Sequence, residues 1–174
     1  MTQQPHPPIN DPRDSTRVDR DRRANPVGAY AAITGIVIFT IATFLSWVST
    51  TDPEDPTSGS GYETDTVIPL LAYLGIGLAV ALLYAISRAR GRQHRGLSLV
   101  TMAVGIAAVG IALSYVFDAP GAFERGADLE AEAGPWIGLV GGIVWSIGAG
   151  LLAKEPEGDD DWHEARRVTG NSAL

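Results

Sequence analysis

The sequence predicts an all-α membrane protein, a bundle of four transmembrane helices. Three observations predict it. Apolar residues collect into four long blocks, near 28–48, 67–86, 97–117 and 135–153. Within those blocks there is no Asp, Glu, Lys, Arg or His. Basic residues are confined to alternate connecting segments. A run of about 20 apolar residues spans a hydrocarbon core roughly 30 Å thick. Backbone in that core must satisfy its own hydrogen bonds, as helix or closed barrel. Blocks this long, rich in Ala, Leu, Ile, Val and Gly, read as helices, because barrel strands are shorter and alternate in polarity.

Residues 1–27 form a polar tail in which Pro5, Pro7, Pro8, Pro12 and Pro26 interrupt any helix and arginines alternate with aspartates. Few apolar side chains offset the entropy of ordering, so disorder is expected there. The first block is too long for a signal peptide and lacks a small-residue cleavage site. A loop rich in Pro, Gly, Ser and acids follows. The second block carries Pro69 in its first turn, where the missing N–H costs nothing, with Asp65 or Thr66 as candidate cap. A basic link leads to the third block, an acidic loop to the fourth, and Pro135 opens that one. Residues 154–174 form an acidic tail.

Of 13 Lys and Arg, all but Arg125 lie in the two tails or in the middle link, which holds Arg88, Arg90, Arg92 and Arg95. The positive-inside rule therefore places both termini and that link in the cytoplasm. Trp47, Tyr115, Phe117 and Trp136 read as anchors at the outer interface, and Tyr30 and Tyr84 at the inner one.

Leu45-Ser46-Trp47-Val48 matches Leu113-Ser114-Tyr115-Val116, and each is followed by an acidic loop and a helix with an early proline. Two readings fit. The chain is a pair of parallel-repeated hairpins related by an axis along the membrane normal, or helix ends simply look alike at an interface.

The chemistry the sequence excludes is informative. With no cysteine there is no disulfide, thiolate metal site or thiol relay. Ion-coupled transporters place an ionisable group at depth, and this chain offers none. Haem ligation would want a deep histidine, but His6, His94 and His163 lie in polar segments. The outer-loop acids Asp52, Glu54, Asp55, Glu63 and Asp65 lack the spacing of a calcium loop, and the run from Asp159 to Glu164 lies in a tail that would not preorganise a site. No nucleotide loop or nucleophile elbow appears. No cofactor, metal or nucleic-acid partner is expected.

The strongest positive signal is a row of small residues in the fourth block, Gly134, Gly138, Gly142, Ser146 and Gly150, with a shorter row in the second, Gly77, Ala81 and Ala85. Residues four apart share a helix face, and small residues let helix backbones approach in membranes. Such a row serves either packing within the chain or an interface with another subunit. Trp145, beside the row, either fills the bundle or faces lipid; a ligand-stacking role has no polar cluster to support it.

Leu45-Ser46-Trp47-Val48, the Gly61-Tyr62-Glu63-Thr64-Asp65 loop and Gly134-Pro135-Trp136-Ile137-Gly138-Leu139 resemble segments of small four-helix membrane proteins of actinobacteria. The Trp-Val near the end of the first helix is also similar to the tryptophan-associated membrane protein family. The resemblance covers about residues 28–153. It implies a bacterial cytoplasmic membrane and carries over no activity or site residue.

The expected function is therefore non-enzymatic. It is that of a multi-pass accessory or assembly subunit whose partners are the lipid bilayer and other membrane helices or a second copy. The alternative is a small homo-oligomeric transporter or channel without a buried ionisable group. An envelope enzyme using outer-loop acids ranks third.

Overall fold

The computed structural model describes residues 25–52, 54, 57–88, 94–118 and 128–155. The tail expected to be disordered lies almost wholly outside these, as do His6, His163 and the Asp159–Glu164 run. Four apolar helices carry the fold: α1 (Val27–Ala42), α3 (Val67–Arg88), α4 (Arg95–Phe117) and α5 (Ala133–Ala153). A one-turn helix, α2 (Gly61–Thr64), precedes α3. Three of the helices, α3, α4 and α5, are long and apolar enough to cross a membrane; α1, with 16 residues, is shorter.

Two sequence expectations need correction. The chain is not purely α: strands β1 (Ser46–Thr50), β2 (Ser58–Ser60) and β3 (Leu129–Ala131) form an antiparallel sheet in the order β2-β1-β3. The first helix, moreover, does not reach residue 48. It ends at Ala42, and the chain turns through Thr43 into β1. The apolar composition continues, but the run Trp47-Val48-Ser49-Thr50 is rich in β-formers. The loops that follow α1 and α4 supply two partner strands. Composition cannot separate a helix end from a strand of equal hydropathy.

The two segments matched as a repeat therefore differ. Trp47 lies in a strand and Tyr115 in α4. A twofold relating the hairpins would also equate the α1–α5 contact with the α4–α3 contact. The first is extensive and the second sparse.

The helices form an antiparallel ring in the order α1, α3, α4, α5. The α1–α5 seam is the closest. A Cβ added at Gly28 would stand 2.7 Å from the Leu152 backbone nitrogen, and one at Gly141 would stand 2.6 Å from that of Phe39. Gly35 meets the Trp145 backbone and Gly148 that of Ala32 in the same way. No alanine fits without moving a helix. The α4–α5 seam is also close: Gly142 faces Val109, Gly105 faces Ser146 and Gly150 faces Met102. The outside of the ring is large and apolar, including Ile41, Leu70, Val80, Ile106, Val140 and Ile147. Large aliphatics outward with Gly and Ala at the seams is the distribution expected in lipid, where helix association relies on close packing.

These contacts predict which glycines tolerate a side chain. A Cβ at Gly142 would meet Val109 Cγ2 at 2.9 Å and its backbone nitrogen at 3.1 Å. Gly142→Leu should lower bundle stability by about 1–3 kcal/mol, the usual cost of overpacking. Gly77 has open space around it, so Gly77→Leu should leave thermal stability in detergent unchanged, as should the volume-conserving Leu139→Ile. Equal melting of the Gly142 and Gly77 variants would overturn this packing.

Candidate functional site

The interior of the ring holds a column of aromatic rings. Trp145, in the middle of α5, is fully buried. It fits because the facing helices carry glycine opposite it: a Cβ at Gly75 of α3 would lie 2.8 Å from Trp145 Cη2, and one at Gly105 of α4 would lie 3.1 Å from Cδ1. Phe39 meets Trp145 edge-on at 6.2 Å and meets Trp47 at 6.4 Å. Tyr115 closes the column against Trp47 at 5.4 Å. Edge-to-face pairs at these separations are favourable.

Trp47 enters the column from the sheet. The β1–β2 register pairs Ser46 with Ser60 and Val48 with Gly59, so β1 carries one extra residue between them. Such a bulge re-aims a side chain, and here Trp47 and Val48, adjacent in sequence, are both buried. The indole seats between Gly61, Gly134 and Gly138, and its Nε1 donates to the Ala42 carbonyl at 2.7 Å. Trp47 is therefore a core residue and not an interfacial anchor, and the same holds for Tyr115. Phe117 and Trp136 are exposed, as an anchor requires.

The small-residue row of α5 thus divides. Gly134 and Gly138 receive Trp47; Gly142, Ser146 and Gly150 receive α4. In the shorter row, Ala81 and Ala85 are half-buried and Gly77 is exposed. A second row lies at a different interval: Gly28 and Gly35 stand seven apart in α1, as do Gly141 and Gly148 in α5. That seven-residue spacing is the sequence signal of the tightest seam among the described residues.

The sheet covers the end of the bundle that carries the acidic loops. Its acids serve as local acceptors. Asp65 Oδ1 accepts from Val67 N–H at 2.9 Å and so caps α3, and the Tyr115 hydroxyl lies 3.4 Å from Oδ2. Ser49 donates to Glu132 at 2.6 Å. Asp52 accepts from the Glu54 N–H at 2.8 Å. Glu63 accepts from both the N–H and the hydroxyl of Ser60, a capping box that starts α2. These two bonds, the backbone one first, lower the Glu63 carboxyl below its ordinary 4.5. Among the described residues no three metal-capable side chains come together.

The opposite end is basic. His94, at the N-cap of α4, is buried, and its Nε2 lies 3.1 Å from the Leu152 carbonyl near the end of α5. A carbonyl only accepts, so Nε2 carries the proton. This bond ties the start of α4 to the end of α5. Beside it a cavity of about 580 Å³ opens between the two helices, with Arg95 and Lys154 at its rim.

No protein-family model matches the chain, and no curated protein matches it.

The Trp47 and Glu63 hydrogen bonds each give a prediction. Trp47→Phe removes the donor to Ala42 and should cost about 1 kcal/mol for the hydrogen bond in addition to the lost ring volume. By proton NMR the Trp47 indole N–H should exchange slowly as a bonded donor, whereas the Trp145 N–H, buried without an acceptor, should show no hydrogen-bonded shift. Second, because Glu63 is lowered on folding, the stability it gives α2 is present above its unfolded value and is lost as pH falls through the folded one. Ser60→Ala should raise the Glu63 pKa part of the way back to 4.5, read by carboxyl-carbon titration. No change would show that the hydroxyl bond is absent in solution.

Proposed function

We propose that this chain is a four-span membrane protein of a bacterial cytoplasmic membrane, with both termini inside, that acts as a non-catalytic subunit packing against other membrane helices. The observation that carries the assembly role is a pair of open glycines. Gly77 in α3 and Gly110 in α4 face outward with nothing within 4 Å of an added Cβ. An exposed glycine within a helix forgoes about 1 kcal/mol of helix propensity relative to alanine. A neighbouring helix whose backbone approaches there recovers that cost through close contact. On α4 the same face continues through the exposed Ala103 and Ala107.

Four spans are supported by the way α1 lies along α5. Its 16 residues reach about 24 Å at 1.5 Å per residue, short of a hydrocarbon core of about 30 Å. The chain does not leave α5 where α1 stops. Gly28 sits at Leu152, Gly35 at Gly141 and Trp47 at Gly138 and Gly134, so α1 with its turn and strand start covers α5 nearly end to end. Irregular backbone is tolerated at depth where protein buries it, and Thr43 and Trp47 are fully buried.

The alternative, a transporter or channel with an uncharged path, finds less support in a single copy. The ring interior is occupied by Phe39, Trp47, Tyr115 and Trp145. A path between copies would still use the outward faces of α3 and α4.

Single cysteines test the topology in the cysteine-free background. Ser60→Cys and Gly126→Cys should label from outside sealed cells and Gln93→Cys should not; labelling of the last would sink the orientation. Copurification in mild detergent tests the role. Gly77→Leu and Gly110→Leu should lose a stoichiometric partner, or self-association, while keeping the wild-type melting temperature. Retention of the partner by both variants would remove the assembly reading.

A further inference from the structure

We infer that Phe44, Tyr62 and Tyr73 form a contact with the lipid surface that completes an aromatic girdle with Phe117 and Trp136, and that this contact seats the turn after α1 and the one-turn helix α2 in the headgroup layer of a bilayer. The inference rests on the helices spanning a membrane and adds where the membrane surface crosses the sheet end of the molecule.

The three rings make one row across three elements. Phe44, in the turn that follows α1, lies 5.0 Å from Tyr62 of α2, with the planes tilted by 37°. Tyr62 meets Tyr73 of α3 edge-on at 6.2 Å, and its hydroxyl donates to that of Tyr73 at 3.1 Å. Phe44 is 66% exposed and Tyr73 59%. An apolar ring with a polar tip belongs at a boundary between lipid and water. Tyr73 stands six residues beyond Val67, about 9 Å along the axis at 1.5 Å per residue. Its Cα–Cβ bond tilts toward the N-terminus of α3, so the ring leans back toward Tyr62, and its hydroxyl finds a partner there without water. That bond uses one of the two phenol protons and leaves the other for a lipid ester carbonyl.

The chemistry of the surface changes at this row. On its helix side the exposed residues include Val37, Ile41, Leu70 and Leu74. On its sheet side they include Thr57, Ser58, Glu63 and Thr66. The backbone at the row is prepared for a layer poor in water. The N–H groups of Phe44 and Leu45 donate to the Ile41 and Ala42 carbonyls at 3.1 Å. At the start of α2 the Ser60 N–H donates to Glu63 at 2.9 Å, and the Thr64 hydroxyl donates to the Ser60 carbonyl at 2.8 Å. Irregular backbone is excluded from a membrane by its unmet polar groups, and these are met.

The partner is a planar layer and not a protein bound to one side. Each of the four apolar helices carries an exposed aromatic near the sheet end: Phe44 just after α1, Tyr73 on α3, Phe117 as the last residue of α4 and Trp136 in the first turn of α5. The helices form a ring, so these side chains face outward in different directions. A protein docked on one face would cover one or two of them. A bilayer surface meets all of them at once, and aromatic belts occupy that level in membrane proteins.

The test places single spin labels on the full cysteine-free chain, at Phe44→Cys, Ser58→Cys and Val80→Cys, in vesicles of phosphatidylcholine and phosphatidylglycerol. Power saturation then compares access of oxygen, which partitions into lipid, with access of a water-soluble nickel chelate. The oxygen-to-nickel ratio should be highest at Val80, on the exposed middle of α3, and lowest at Ser58. At Phe44 it should be several-fold above the Ser58 value. An unchanged melting temperature verifies that each labelled variant is folded. If Phe44→Cys does not fold, Leu70→Cys, exposed on α3 one turn before Tyr73, reads the same boundary with the same expected ratio. A Phe44 ratio equal to that of Ser58 would place the row in water and overturn the inference. So would a label shielded from both reagents, which would mean that a protein or a second copy covers the row. Nickel access at Val80 would overturn the membrane-spanning reading itself.

Discussion

The contact of α1 with α5 is backbone against backbone. In water, two apolar helices are driven together by release of solvent; in lipid, that drive is absent and association depends on packing at short range. Gly28, Gly35, Gly141 and Gly148 remove the side chains that would hold these helices apart. Everything else in the ring follows from this approach. It leaves Trp145, on the next face of α5, pointing into the ring. It sets Phe39 beside Trp145. It brings the end of α1 to the start of α5, where Gly134 and Gly138 leave room for Trp47.

The aromatic column solves the problem that so many glycines create. Helices with little side-chain volume enclose little, and voids in a packed interior forfeit dispersion contacts. Two indoles, a phenyl and a phenol fill the axis, and both indoles enter where a neighbour is glycine. The sheet is part of the same solution. Without the bulge in β1, Trp47 and Val48 would point to opposite faces, and the sheet-covered end of the bundle would have no plug. The Ala42 carbonyl, which accepts from the Leu45 N–H at 3.1 Å, takes Trp47 Nε1 as a second donor, and β1 and β3 satisfy each other's backbone above it.

Because packing is concentrated in α5 and its two neighbours, α3 is held by fewer close approaches, and it leaves Tyr73, Leu74, Ile76 and Leu83 exposed. The surfaces proposed for partner contact follow from that asymmetry. Open glycines lie on the outward faces of α3 and α4, away from the seam with α5. An apolar cavity lies between α4 and α5 near the His94 clasp. The two ends of the molecule differ in charge and in architecture: acids used as caps on a sheet at one end, cations at the rim of a cleft at the other.

The sequence by itself determined which segments are apolar helices and where most of them end, because a block of apolar residues bounded by charge has few alternatives in length or register. Pro69 and Pro135 mark helix starts within the first turn, and Asp65 caps α3. The small residues of α5 were legible as a packing surface. What only the tertiary structure decided is what each of them packs against. Gly134 and Gly138 lie in the same row as Gly142 yet receive a strand tryptophan in place of a helix, since their neighbour depends on where α1 ends. That end was hidden because Thr43-Phe44-Leu45 is as apolar as the helix before it. The strand forms because Ser58–Ser60 on one side and, about eighty positions away, Leu129–Ala131 on the other come to pair with it. Gly77, in a row like that of α5, faces outward because no glycine of another helix meets it. A small residue states that close approach is allowed; only the assembled chain states which approach takes place.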